Sequence, residues 1–299
     1  MEIREALKTG IGILRDGNIH AYTLAAELLL LHAIGKERAW LYAHPEDQLS
    51  AAQEKQFLEM VARRAAGEPV QHLIGHQEFW GLDFAVTPDV LIPRPETEHL
   101  IEVTLDRLAW REVREGRPQA TDGSGLRIAD VGTGSGCIAI ALARQLPKAT
   151  FYASDISEAA LEVARRNAAK HGVSQQIEFA NASLLDHAVS SDHARARFDA
   201  IVSNPPYIGL REAAGLDREV RDHEPEAALY GGQEGYEFYG ELIAQAGAHL
   251  MRGGLLVLEL GYNSLPAVQP LLEGPEWTGL GITSDLSGIP RIIAAERGP

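Results

Sequence analysis

The chain has 299 residues, 45% of them hydrophobic and 23% charged, with 29 Gly, 15 Pro and one Cys. That is the profile of a folded globular protein, and it excludes collagenous, coiled-coil and disulfide-built classes. The 27 Lys and Arg stand against 42 Asp and Glu, a net charge of −15, the wrong sign for gripping nucleic acid through its phosphates.

A lone Cys137 leaves no internal disulfide and no Cys-rich zinc site, and no metal is expected. Without an apolar run long enough for a signal peptide or a bilayer span, the chain reads as cytoplasmic and without a membrane partner.

The first third reads as helices. Residues 22–34 carry apolar positions at helical spacing with Gly35 after the last turn. Ser50 is an N-cap candidate for a second helix, which Gly67 stops. From Pro69 the pattern shifts: residues 78–80 and 82–86 read as two short strands broken at Gly81, followed by Val90-Leu91-Ile92. Pro93-Arg94-Pro95-Glu96-Thr97-Glu98 opens a helix, with proline and acids where the helix dipole favours them. Arg94 and Glu96 read equally as a pair at an active-site wall or as a simple helix start. Residues 111–125, charged and holding Pro118, read as an exposed loop.

Strand and helix then alternate. Strands are expected at 126–131, 149–154, 177–180, 199–203 and 254–260, and helices at 137–145, 158–171 and 238–251, with 281–284 and 292–295 as a closing pair. This is an α/β pattern, a parallel sheet with helices on both faces, and such sheets bind ligands beyond the carboxyl ends of their strands.

Two motifs fall at those ends. Gly132-Thr133-Gly134-Ser135-Gly136 follows the first strand, and glycines there let the backbone turn sharply and approach a ligand. The spacing is neither that of a dinucleotide loop nor that of a triphosphate loop. Asp155 closes the second strand, where a carboxylate accepts from ribose hydroxyls. An adenosine cofactor without phosphates suits this pair, and S-adenosylmethionine is the natural candidate. Asp130 either orients that cofactor or caps the loop.

The second motif, Asn204-Pro205-Pro206-Tyr207, follows the strand at 199–203. Two prolines fix φ and cannot continue a sheet, so the turn is rigid. The Asn204 side-chain oxygen and the Pro205 carbonyl suit the two hydrogens of a planar conjugated –NH2 group, and Tyr207 offers a ring to stack on it. Held so, the nitrogen lone pair aims at an electrophilic methyl carbon, and positioning does most of the work. Read alone, the tetrapeptide is equally a structural turn. After the glycine loop and Asp155, the pair resembles class I methyltransferases that act on amide or exocyclic amino nitrogens.

The sequence also resembles a narrower family, the HemK-type (PrmC-type) protein-(glutamine-N5) methyltransferases of peptide-chain release factors. The likeness covers nearly the whole chain. It includes Glu68-Pro69-Val70-Gln71-His72-Leu73-Ile74-Gly75, Phe79-Trp80-Gly81 and Leu91-Ile92-Pro93-Arg94-Pro95-Glu96-Thr97-Glu98. It continues through His223-Glu224-Pro225, Ala228-Leu229, Gly231-Gly232 and Asp285-Leu286-Ser287-Gly288-Ile289-Pro290-Arg291.

The resemblance implies a helical substrate-recognition domain at 1–70, a β-hairpin linker at 71–92 and a Rossmann-like catalytic domain at 93–299. It implies that Gly132, Thr133, Gly134, Ser135, Gly136 and Asp155 hold S-adenosylmethionine, leaving S-adenosylhomocysteine as product. Leu184 would cover the adenine, in place of the acidic and aromatic pair of many relatives. It also implies that Asn204, Pro205, Pro206 and Tyr207 hold the glutamine of a release factor's Gly-Gly-Gln loop, with Asn204, Pro205 and Tyr207 catalytic and Asn204 near the cofactor as well.

The chain's own Gly231-Gly232-Gln233 spells the same motif and reads as coincidence. A glutamine of a ribosomal protein, an adenine amino group in DNA, and a non-catalytic cofactor-binding module stand as alternatives. His72, His76, His99 and His223 lack metal-ligand spacing, Trp40, Trp80, Trp110 and Trp277 read as core or linker packing, and Cys137 as a small packing residue.

Overall fold

The computed structural model describes residues 1–114, 122–186, 188 and 197–298, with the side chains of 112–114 excepted. The chain divides into two compact units. One takes in Met1–His76 and Leu216–His223, the other Gln77–Gly215 and the chain from Glu224 onward.

The first unit is helical. Helix Ile3–Asp16 starts at a reciprocal capping box between Glu2 and Glu5. Helix Ala51–Ala65 starts at the expected Ser50, whose hydroxyl accepts from the Gln53 backbone while Gln53 reaches back. Helix Tyr22–Ile34 ends on Gly35 in the left-handed conformation (φ 64°). Their apolar faces meet at Ala6, Leu14, Ala26, Leu29, Leu30, Phe57 and Val61. Burying a ring such as Phe57 stabilises by roughly 1.5–3 kcal/mol.

The second unit opens at Gln77, one residue into the hairpin of β1 (His76–Phe79) and β2 (Leu82–Ala85). Trp80 and Gly81 both take positive φ, 55° and 69°, the two-residue turn whose twist suits paired strands. Helix Val70–Ile74 precedes it. Residues 90–92 form no strand, and Val90 packs with Val86, Ala160 and Val163.

The main sheet holds β3 (Arg127–Val131), β4 (Thr150–Asp155), β5 (Ile177–Asn181) and β6 (Phe198–Ser203). A separate two-stranded piece pairs β7 (Ile208–Gly209) with β8 (Tyr230–Gly232). The sheet is completed by β9 (Leu250–Glu259), β10 (Trp277–Ser284) and β11 (Pro290–Arg297), in the order β10-β11-β9-β6-β3-β4-β5. Neighbours from β5 to β9 run parallel. The expected closing pair runs longer than its periodicity suggested, and it makes the sheet mixed, because β11 lies antiparallel to both β9 and β10.

Two buried clusters cover the sheet. Ile128, Ala153, Ala200 and Val257 point to one, packed with helix Cys137–Gln145. Ala129, Tyr152, Ile201 and Leu256 point to the other, packed with helix Glu237–His249. Alternate residues of each strand therefore serve opposite faces, as a sheet buried on both sides requires.

Two expectations fail here. Helix Glu98–Arg114 runs into the supposed loop at 111–125, because Arg111 is buried and its guanidinium donates to Asp199 Oδ1 at 2.6 Å and to the Asp199 carbonyl at 3.2 Å. Residues 115–121 of that stretch, with Pro118, lie outside the described residues. Trp110 is 72% exposed rather than packed. The other tryptophans are at least partly covered, and Cys137 is buried in the core, its thiol pushed up to about 12 by desolvation.

Candidate active site

The chain runs outward from β3 through β4 to β5, then crosses back to set β6 beside β3 on its other side. The strand order reverses between β3 and β6, and a crevice beyond carboxyl ends at such a point is where open α/β sheets bind ligands. Ser203 Oγ at the end of β6 donates to the Val131 carbonyl at the end of β3, 2.7 Å away, and pins the two ends together.

The loop after β3 is built from backbone. Gly132 and Gly134 take φ of 71° and 53°, a region that costs other residues about 1–2 kcal/mol. A Cβ on either would meet nothing within 4 Å, so both present bare backbone to open space. Asp130 Oδ2 accepts from Thr133 Oγ1 at 2.6 Å and from the Ala139 N–H at 3.1 Å, which is the loop-capping role. Burial pushes the Asp130 carboxyl up to about 7, and its Oδ1 has no partner.

Asp155 also braces the loop, accepting from the Gly134 N–H on Oδ2 and the Ser157 N–H on Oδ1, both at 2.9 Å. Burial raises its pKa against these two bonds. Asn167 ties the hairpin to the loop: its amide donates to the Ala85 carbonyl at 3.0 Å and the Ser135 carbonyl at 2.8 Å, and accepts from the Ala85 N–H at 2.8 Å.

The turn after β6 is fixed differently. Asn204 Nδ2 donates to Thr97 Oγ1 at 3.1 Å, while Asn204 Oδ1 is buried without a partner. A Cβ on Gly231 of β8 would come within 2.2 Å of the Pro206 carbonyl. That close approach gives the chain's own Gly-Gly-Gln a packing reason, and its Gln233 faces solvent. The Tyr207 ring lies against Gly261, where a Cβ would come within 2.8 Å of Tyr207 Cδ2, and burial raises its phenol pKa.

A cleft of about 840 Å³, open mouth included, lies beyond these strand ends. Gly132, Gly134, Asp155, Leu184, Asn204 and Pro206 line it. Thr133, Ser135 and Gly136 do not: Thr133 and Ser135 are buried within the loop, and Gly136 caps helix Cys137–Gln145. Pro205 is buried, and Tyr207 likewise stands outside the lining. Leu184 holds a left-handed φ of 50°, its carbonyl accepting from Ser154 Oγ at 2.6 Å, and this strain lets a buried leucine face the cleft.

Sequence reasoning missed Asp89, Val90, Leu91, Ala160, Pro225 and Phe238 in the lining. The Leu-Ile-Pro-Arg-Pro and His-Glu-Pro runs were the available signal for Leu91 and Pro225. Arg94 Nη2 pairs with Glu224, at 2.7 and 2.8 Å to its two carboxylate oxygens, rather than with Glu96.

The lining carries no Lys, Arg or His, two carboxylates, and apolar walls from Val90, Leu91, Ile156, Ala160 and Leu184. That donor set fits a nucleoside without phosphates, its flat base between aliphatic side chains. Among the described residues, no helix is long and apolar enough to cross a membrane, and no cluster of three or more His, Cys, Asp or Glu is placed to hold a metal ion.

Comparison with known proteins matches residues 5–75 to the PrmC N-terminal domain family and residues 119–217 to the methyltransferase small domain family. The chain is 41% identical over 297 residues to a release factor glutamine methyltransferase of Koribacter versatilis, covering 99% of both chains. It is 42% identical over 287 residues to another from Chlorobaculum tepidum, covering 96% of this chain and 94% of that one. A solved methyltransferase from Pyrococcus furiosus shares the fold with a TM-score of 0.50 at 18% identity, over 80% of this chain and 98% of that one. The methyl donor is S-adenosylmethionine, consistent with a cleft lining that carries no cation and has aliphatic walls. The chain is a methyltransferase and belongs to the release factor glutamine methyltransferase family.

Proposed function

We propose that this protein methylates the side-chain amide nitrogen of the glutamine in the Gly-Gly-Gln motif of peptide-chain release factors, in the cytoplasm, as part of translation termination. The observation that carries the reading is Asn204 Oδ1, a buried acceptor without a partner at the wall of the cleft. A buried oxygen left unpaired costs roughly 1–3 kcal/mol, and a ligand's N–H offsets that cost.

S-adenosylmethionine, when bound, supplies an electrophilic methyl group on a sulfonium. Gly132, Gly134 and Asp155, with Leu184 against the base, would hold it. Asn204 Oδ1 and the Pro205 carbonyl each accept one hydrogen of the substrate amide, and Tyr207 flanks its π system. An amide nitrogen is a poor nucleophile because its lone pair is delocalised. Two fixed acceptors favour a pyramidal nitrogen with that lone pair aimed, and oriented reactions of this kind reach effective molarities of order 10⁵–10⁸ M. No base is required before the methyl moves.

The net charge of −15 and the lack of a cation in the cleft lining favour a protein substrate over DNA. Incubation with S-adenosylmethionine and purified release factor should add one methyl mass, mapping to the Gly-Gly-Gln glutamine. An unmodified factor beside cofactor-bound protein would overturn the substrate, and tight, salt-sensitive DNA binding would replace it.

A further inference from the structure

Two segments far apart in the chain contribute apolar groups to the wall of the cleft. One brings Val90 and Leu91, the other Pro225, Ala227 and Ala228. Residues 90–94 belong to no strand or helix. The second segment is one short helix, Glu226–Leu229, entered at Pro225. Neither takes part in the main sheet, so no ladder of hydrogen bonds sets their spacing.

Each segment is anchored at one end to the turn after β6. The first runs into the 3-10 turn Pro95–Thr97, where Thr97 Oγ1 accepts from Asn204 Nδ2 at 3.1 Å. The second runs into β8, which pairs with β7 and brings Gly231 against the Pro206 carbonyl. The other end of the second segment is Glu224, directly before Pro225. Its two carboxylate oxygens lie 2.7 and 2.8 Å from Nη2 of Arg94, three positions after Leu91. Glu224 is 6% exposed, and a carboxylate so buried is costly unless it is paired. Here the cation comes from the first segment. Neither residue is part of the cleft lining.

We propose that Arg94 and Glu224 are positioning residues for the cofactor: their ion pair fixes the two wall segments to each other and sets how tightly the cleft holds S-adenosylmethionine. The inference rests on this cleft being the cofactor site. It adds that affinity is governed in part by two residues that touch no cofactor. With the pair made, the second segment is held at both ends and its apolar groups keep their places in the lining. With the pair broken, it keeps the β8 anchor and loses the other, and its wall leaves the lining for part of the time. Apparent affinity then falls in proportion to the fraction that remains competent to bind.

The test uses the full chain and S-adenosylmethionine, with binding read by calorimetry. Arg94→Met should raise cofactor Kd about ten-fold, which corresponds to a competent fraction near a tenth. A single nitrogen serves both Glu224 oxygens, so a lysine ammonium with its three donors can replace it. Arg94→Lys should therefore return Kd to within about three-fold of wild type. Glu224→Gln should weaken binding in the same direction. The double variant should bind no more weakly than Arg94→Met alone, because both changes break one contact. In methylation of release factor, the cofactor KM should rise by a like factor. Thermal melts of the cofactor-free variants read stability separately, and Glu224→Gln carries the comparison if Arg94→Met does not fold.

Unchanged Kd in the folded variants, no recovery in Arg94→Lys, or a double variant weakened by the product of the two single effects overturns the clamp. If Gly134→Val weakens the cofactor while the Arg94 and Glu224 variants do not, the cofactor site stands and only the clamp fails. If Gly134→Val also leaves Kd unchanged, both fall.

Discussion

Strand β6 is finished differently at its two ends. At the amino end Asp199 is almost fully buried, yet both its oxygens are occupied, Oδ1 by Arg111 at 2.6 Å and Oδ2 by the Arg127 N–H at 2.9 Å. Arg127 in turn lies over the Phe198 ring, 4.6 Å from its centroid. At the carboxyl end three adjacent parallel strands each leave a buried oxygen unpaired: Asp130 Oδ1 on β3, Asn204 Oδ1 just past β6 and Glu259 Oε2 on β9. The charge at the amino end is satisfied within the chain, whereas at the carboxyl end Asn204, which lines the cleft, keeps an open acceptor. Tyr152 Oη and Gln176 Oε1 are also buried without a partner away from the cleft lining, so the contrast gains its meaning from the cleft beside Asn204.

Breaking the satisfied end should cost stability and leave chemistry alone. Arg111→Met strands the Asp199 carboxylate half-paired, so unfolding free energy should drop by about 3–5 kcal/mol, read by urea titration, with kcat of the folded fraction unchanged. A matching loss of kcat would mean that the two ends are coupled.

On the open end, Gly134→Val puts a β-branched residue at a left-handed φ with its side chain toward the cleft. Cofactor Kd should rise by at least about thirty-fold, close to 2 kcal/mol, by calorimetry. Unchanged affinity would remove the loop from the cofactor site. Smallest should be Ser203→Ala, which removes the pin to Val131 for about 1 kcal/mol in thermal unfolding. A larger loss would make the pin a main support of the crevice.

What could be read from the sequence was what contiguous residues encode. The glycine loop, the Asn-Pro-Pro-Tyr turn and the Ser50 cap each state their chemistry within a few positions, and the strand–helix alternation placed the first two at strand ends. The supports were not legible, because they join side chains far apart in the chain. Arg111 meets Asp199 across 88 positions, Arg94 meets Glu224 across 130, and Asn167 meets Ala85 across 82. The two-residue strand β7 is too short to show any period, and the extension of helix Glu98–Arg114 rests on a partner that only the folded sheet supplies.

The most direct test of the division at the crevice is Asn204→Ala, with cofactor Kd and single-turnover methylation of release factor measured on the same preparation. The account predicts methyl transfer at least about a hundred-fold slower while Kd stays within about two-fold, since Asn204 serves the amide and the loop after β3 serves the cofactor. Undiminished transfer, or a loss of rate matched by an equal loss of cofactor affinity, would contradict it.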